Sequence, residues 1–175
     1  MNSKILTFPL RLTVIILTFG ALFKIMHWPY AAQLMLIGSV SIGLLYSIRF
    51  LKKADKSRLD YVKLSLILLW VFSYLVKAFH IIYLPYIFEI LLVILFIYWF
   101  SIEGISYFKN RKYRKNLFFK TLYFLLIAMT IFALFFGIIF KIQHWPYGAL
   151  LFTSGILLLS ILLIYDYFII DRSHK

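Results

Sequence analysis

With 175 residues, 64% of them hydrophobic, and a mean hydropathy of +0.95, the chain is too apolar to cover itself as a soluble domain, because ordinary domains are about 45–50% apolar. Nineteen Lys and Arg against six Asp and Glu give a formal net charge of +13, but these cations cluster beside apolar stretches, which fits membrane topology and anionic lipid head groups and leaves no soluble surface for nucleic acid. The absence of cysteine excludes disulfides and thiolate metal sites and leaves the redox compartment unread.

A bilayer-spanning helix needs about 20 mostly apolar residues. Six stretches qualify, at 7–26, 31–50, 62–80, 86–107, 118–142 and 148–169. The expected fold is an all-α integral membrane protein, a single transmembrane domain over 1–175. Its six transmembrane helices form three repeated helical hairpins at about 7–50, 62–107 and 118–169.

In chain order, Lys4 and Arg11 stand ahead of an apolar run in the manner of a signal peptide. The same helix and corner recur internally at 118–147, so the first run is expected to be a permanent span. That helix should end near His27, since Trp28 precedes Pro29 and a residue before proline is pushed out of the α region. Residues 31–50 return antiparallel, with Gly38 and Gly43 offering close helix contacts.

Residues 49–63 carry Arg49, Lys52, Lys53, Lys56, Arg58 and Lys63 against Asp55 and Asp60, and read as a solvated basic loop. The second hairpin goes out through 64–78, turns near 80–86 and returns through 89–108. A second basic loop follows at 109–120, and the third hairpin turns at 144–147 and returns to Asp171, Arg172 and Lys175. The positive-inside rule places both loops and both termini in the cytoplasm and all three corners on the opposite face of a bacterial inner (cytoplasmic) membrane.

The corners are the most informative residues. Phe23-Lys24-Ile25-Met26-His27-Trp28-Pro29-Tyr30 returns as Phe140-Lys141-Ile142-Gln143-His144-Trp145-Pro146-Tyr147. A looser copy keeps Lys77 and His80, then reaches Pro85-Tyr86 after the insertion Ile81-Ile82-Tyr83. The residue four before each Lys is small: Gly20, Ser73 and Gly137. Three copies suggest a pseudo-threefold bundle.

Residues three apart share a helix face, so Lys24 with His27, Lys77 with His80, and Lys141 with His144 are expected to point the same way, about one turn inside each corner. On one reading these cations gather at one end of the bundle as an ion or proton path. Glu89 is then near enough to neutralise a Lys, and Glu103 lies deeper toward the cytoplasmic side. On the other, each Lys only complements a helix C-terminus while its stem lies in lipid, each His caps the end, and Trp-Pro-Tyr is an interfacial turn. Asp166 is expected to pair with a basic loop.

Three histidines raise a zinc site, but no carboxylate or second His sits within the same corner, so neither metal nor haem is expected. No phosphate loop, Ser-His-Asp set or His-Glu-x-x-His occurs, so no enzyme activity and no cofactor are expected. The expected partners are the lipid bilayer and a membrane protein or second copy, not nucleic acid.

The run 20–29 (Gly20-Ala21-Leu22-Phe23-Lys24-Ile25-Met26-His27-Trp28-Pro29), with Leu36-Ile37-Gly38 and Ser41-Ile42-Gly43-Leu44-Leu45, resembles the membrane hairpin of GldL, the inner-membrane motor protein of Bacteroidota gliding motility and type IX secretion. The resemblance covers about 7–50, repeats at 118–169 and is faint at 64–107. It implies a proton-driven stator in which copies of a two-helix subunit surround a partner, with Lys24, His27 and their counterparts matching the family's charged residues. The family's acid in the second helix is replaced by Tyr46 and Ser47 in the first copy and by Leu163 and Ile164 in the third; only the middle copy offers one, Glu103. No counterpart of the family's long cytoplasmic tail is expected. The expectation is a single-chain relative acting as component or accessory of such a complex. A small proton or anion channel or carrier and a purely structural bundle are the alternatives.

Overall fold

The structure is a computed structural model that describes residues 6–78, 86–105 and 117–169. All regular structure among them is helical: α1 (Thr7–Ile25), α2 (Ala31–Leu51), α3 (Arg58–Ala78), α4 (Ile87–Trp99), α5 (Leu117–Ile142) and α6 (Gly148–Ile169). A π-helical segment, Phe100–Gly104, continues α4. Counting that continuation, all six helices are long and apolar enough to cross a membrane. His80, Pro85 and the insertion 81–83 lie outside the described residues.

One boundary differs from expectation for a clear local reason. Instead of a solvated loop over 49–63, α2 continues to Leu51 and α3 begins at Arg58, leaving only residues 52–57 between them. Ser57 and Asp60 form a reciprocal cap at the start of α3. The Ser57 N–H and hydroxyl both donate to Asp60 Oδ2 at 2.8 Å, and the Asp60 N–H lies 3.3 Å from Ser57 Oγ. Two donors that a helix N-terminus leaves unmatched are thereby satisfied. The second hairpin also departs from a plain α-helical return, since the turn at 100–104 widens to π geometry around Glu103.

Within the helices, five hydroxyls are matched by their own helix. Ser39 donates to Leu36 O, Ser47 to Gly43 O, Thr130 to Leu126 O, Thr153 to Ala149 O and Ser160 to Ile156 O, at 2.7–3.1 Å. Back-bonding of this kind lets a polar side chain sit in an apolar helix without an unmatched donor.

The chain divides into two compact units. The first holds residues 18–35 and 117–169 among those described, that is, the first corner with its flanking helical turns together with α5 and α6. Leu22, 1% exposed, packs there with Phe152 and Ile156, and Phe19, Phe23, Met26 and Leu134 close around them. The second unit holds residues 6–17, 36–78 and 86–105. In it Gly43 faces Val71 across α2 and α3, and Phe72 of α3 meets Phe88 of α4 with ring centroids 6.5 Å apart.

Glycines set how closely helices approach. A Cβ on Gly20 would lie 2.7 Å from Met35 N, and one on Gly137 would lie 2.6 Å from Phe152 N. A Cβ on Gly38 would lie 2.9 Å from Leu17 N, and one on Gly155 3.0 Å from Leu134 N. Each pair of contacts is related by the same shift along the chain that relates the two near-identical corners. A methyl at these positions must push backbone apart, whereas a Cβ on Gly43 would meet Val71 at an ordinary 3.5 Å. Gly20→Ala and Gly137→Ala are therefore expected to lower stability by about 1–3 kcal/mol, and Gly43→Ala to leave it unchanged or raise it by up to ~1 kcal/mol through helix propensity. Thermal unfolding in detergent micelles, followed by circular dichroism, measures all three.

Candidate functional site

The corners at 23–30 and 140–147 are built the same way, and the backbone explains why. In the first, the Trp28 N–H donates to Phe23 O at 2.8 Å and the His27 N–H to Lys24 O at 3.3 Å. In the other, Trp145 donates to Phe140 O at 2.8 Å and His144 to Lys141 O at 3.3 Å. This pair of bonds is the Schellman closure, which requires left-handed backbone at the residue between helix and turn. His27 and His144 supply it, at φ +55° and +54°. Histidine is among the side chains that enter this region more readily than most.

The hydrophobic contact that accompanies such a closure is present as an edge-to-face ring pair, Phe23 with Trp28 at 5.1 Å and Phe140 with Trp145 at 5.0 Å between centroids. Pro29 and Pro146 follow, where a helix cannot continue. Tyr30 and Tyr147, both at φ +66°, then open α2 and α6, whose first bonds run from Leu34 N to Tyr30 O and from Leu151 N to Tyr147 O.

This geometry corrects the expected placement of Lys and His. The helices end at Ile25 and Ile142, so Lys24 and Lys141 are next-to-last residues and not one turn inside; Lys77 likewise stands next to last in α3. His27 and His144 lie beyond the helix in left-handed backbone, where the rule that residues three apart share a face no longer applies. Lys24, His27 and His144 are exposed and Lys141 is half-buried. A cation in the last turn suits the helix dipole.

The middle hairpin is different. Tyr86 sits at φ −54°, in ordinary right-handed backbone, where Tyr30 and Tyr147 are left-handed. Lys77 forms an ion pair with Glu89, and the two side chains are each 48% exposed. Glu89 also stands in the first turn of α4, where a carboxylate is favourable.

A second cluster of charge lies where the end of α2, the start of α3 and the π-helical segment meet. Lys63 is ion-paired with Glu103, and the Trp99 indole N–H donates to the same Glu103 oxygen at 3.2 Å. Lys53 is ion-paired with Asp60, whose carboxylate already serves the Ser57 cap. Glu103 thus belongs with Lys63, and Tyr46 lines the same cleft.

Sequence reading did not find the Ser57–Asp60 cap, although Ser-x-x-Asp ahead of an apolar run is a visible signal. It also missed the Tyr123–Asp166 pair, in which the buried Tyr123 hydroxyl donates to Asp166 Oδ1 at 2.8 Å while its ring stacks on Tyr165. No spacing rule marks a bond between α5 and α6.

The helices define the class: the described residues are all-helical in their regular structure and hold six segments long and apolar enough to span a membrane. Compared with protein-family models, curated proteins and solved structures, it matches none.

Left-handed backbone costs a non-glycine residue roughly 1–2 kcal/mol. His27→Gly is expected to raise stability by about 1 kcal/mol, and His27→Val, a β-branched residue for which this conformation is an outlier, to lower it by about 1–2 kcal/mol. Thermal unfolding in micelles checks the pair. A loss of stability in the glycine variant would mean that the imidazole makes a contact worth more than the strain of its backbone.

Proposed function

We propose that the chain is a multi-pass protein of a bacterial inner membrane, assembled from copies of one out-and-back hairpin. On this reading it acts without enzyme activity as a component or accessory of a membrane complex of the gliding-motility and secretion kind. The observation that carries the reading is the shared corner geometry: φ values within 1°, the same hydrogen bonds and the same edge-to-face ring pair at 23–30 and 140–147. These are the residues on which the likeness to the GldL hairpin rests. The basic residues at 49–58 support a cytoplasmic position for that end of α2 and α3, and with it for both termini, by the positive-inside rule.

The exposed face of α4 is compatible with such a role. Only 6% of its span is buried, and Ile90, Val93, Ile94 and Ile97 are exposed to whatever surrounds the helix, whether lipid, a second copy or another membrane protein.

One observation favours transport of protons or a small anion as a second reading. Glu103 is an acid within a span, held by Lys63 in a π-helical turn, and such turns are frequent at functional sites. Liposomes containing a pH-sensitive dye separate the two. The first reading expects no proton flux above protein-free vesicles from the wild type or Glu103→Gln, together with reduced surface spreading or secretion when the gene is deleted. Flux that Glu103→Gln abolishes would replace it with the transport reading. Normal spreading and secretion without flux would leave a structural bundle.

A further inference from the structure

The cleft beside the π-helical segment has about 190 Å³ of space and is lined by the Phe50 ring and by the polar side chains of Tyr46, Arg49, Lys53, Asp60, Lys63 and Glu103. Its charges are not equally committed. Asp60 accepts from Lys53 and from the Ser57 N–H and hydroxyl. Glu103 accepts from Lys63 and from the Trp99 indole. Two cations and two carboxylates therefore balance, and the half-buried Arg49, which forms no ion pair with a described residue, leaves the lining one positive charge in excess.

Arg49 is also well placed to bind. It stands three residues after Tyr46, so guanidinium and phenol leave the same face of α2. A guanidinium presents a rigid fork of N–H donors that matches two oxygens of one oxyanion, and a phenol adds a third donor. The neighbouring basic residues stand outside the lining: Lys56 lies over the Phe50 ring, 5.0 Å from its centroid, and Arg58 opens α3 in an exposed position.

We infer that this cleft binds one phosphate oxyanion, gripped by the Arg49 guanidinium and the Tyr46 hydroxyl, with the Lys53–Asp60 and Lys63–Glu103 pairs as fixed walls. The inference rests on the membrane reading above, which brings the end of α2 to head-group depth. Two sources supply this chemistry there, the phosphodiester of an anionic lipid and free inorganic phosphate.

The test uses the full chain in detergent micelles and native mass spectrometry. The probes are short-chain phosphatidylglycerol, diacylglycerol of the same chain length and inorganic phosphate. One equivalent of phosphatidylglycerol is expected to bind saturably and diacylglycerol not at all. Arg49→Gln should weaken binding about tenfold, the loss expected for one charge-assisted contact, and Arg58→Gln, with the same change in net charge, should leave it intact. Displacement of the lipid by inorganic phosphate assigns the site to the free anion, and resistance to displacement assigns it to the head group. Equal loss in the Arg49 and Arg58 variants, or none in the Arg49 variant while its thermal unfolding is unchanged, overturns the site. If Arg49→Gln does not fold, Arg49→Lys, which keeps the charge and loses the fork, should still bind more weakly than wild type, and wild-type affinity in it overturns the site. Membrane insertion is scored separately by retention of the protein in membranes after an alkaline wash, so insertion without anion binding rejects the cleft alone.

Discussion

A helix that stops leaves its last carbonyls without partners, and in hydrocarbon each unmatched group costs several kcal/mol. At the corners 23–30 and 140–147 the chain answers this with its own backbone. The Trp N–H reaches back to the Phe carbonyl and the His N–H to the Lys carbonyl, while the Trp ring lies edge-on to the Phe ring one turn earlier. Two of the last carbonyls are matched in each corner, the chain reverses in a few residues, and the returning helix starts at once. Glycine at 20, 38, 137 and 155 then allows the two arms to run almost backbone against backbone. The closure and the proline that follows it together end the first helix and turn the chain back.

Much of the polarity among the described residues is handled within single helices. Ser47, Thr130 and Ser160 bond to carbonyls of the preceding turn. Lysines occupy the next-to-last position of α1, α3 and α5, where the helix dipole welcomes a cation. The second unit adds ion pairs across helices, Lys77 with Glu89 at one end of α3 and Lys63 with Glu103 at the other. The lysines are thus explained as helix ends before any conducting role is invoked, and the acid with the more unusual setting is Glu103.

Much of this was legible in the residues alone, for identifiable reasons. Span positions follow from apolar run length, which counts residues and needs no partner. The corners were legible because Trp-Pro halts a helix wherever it falls. The left-handed histidines were not: Gly is the usual signal for that conformation, and a His in its place reads as a ligand or a proton carrier. The start of α3 was misplaced because charge was weighed above the Ser57–Asp60 cap, which turns a basic stretch into the first turn of a helix. The π-helical turn at Glu103 and the Tyr123–Asp166 bond depend on packing between helices, for which periodicity along one helix carries no information.

The proposed membrane reading puts the two matching corners on one face and the capped connection at 52–57 on the other. The chain has no cysteine of its own, so single cysteines report position cleanly. With Ile25→Cys, Gln143→Cys and Lys56→Cys in sealed inverted and right-side-out vesicles, a membrane-impermeant maleimide should label the first two only from the periplasmic side and the third only from the cytoplasmic side. Labelling of Ile25→Cys or Gln143→Cys from the same side as Lys56→Cys would contradict the account.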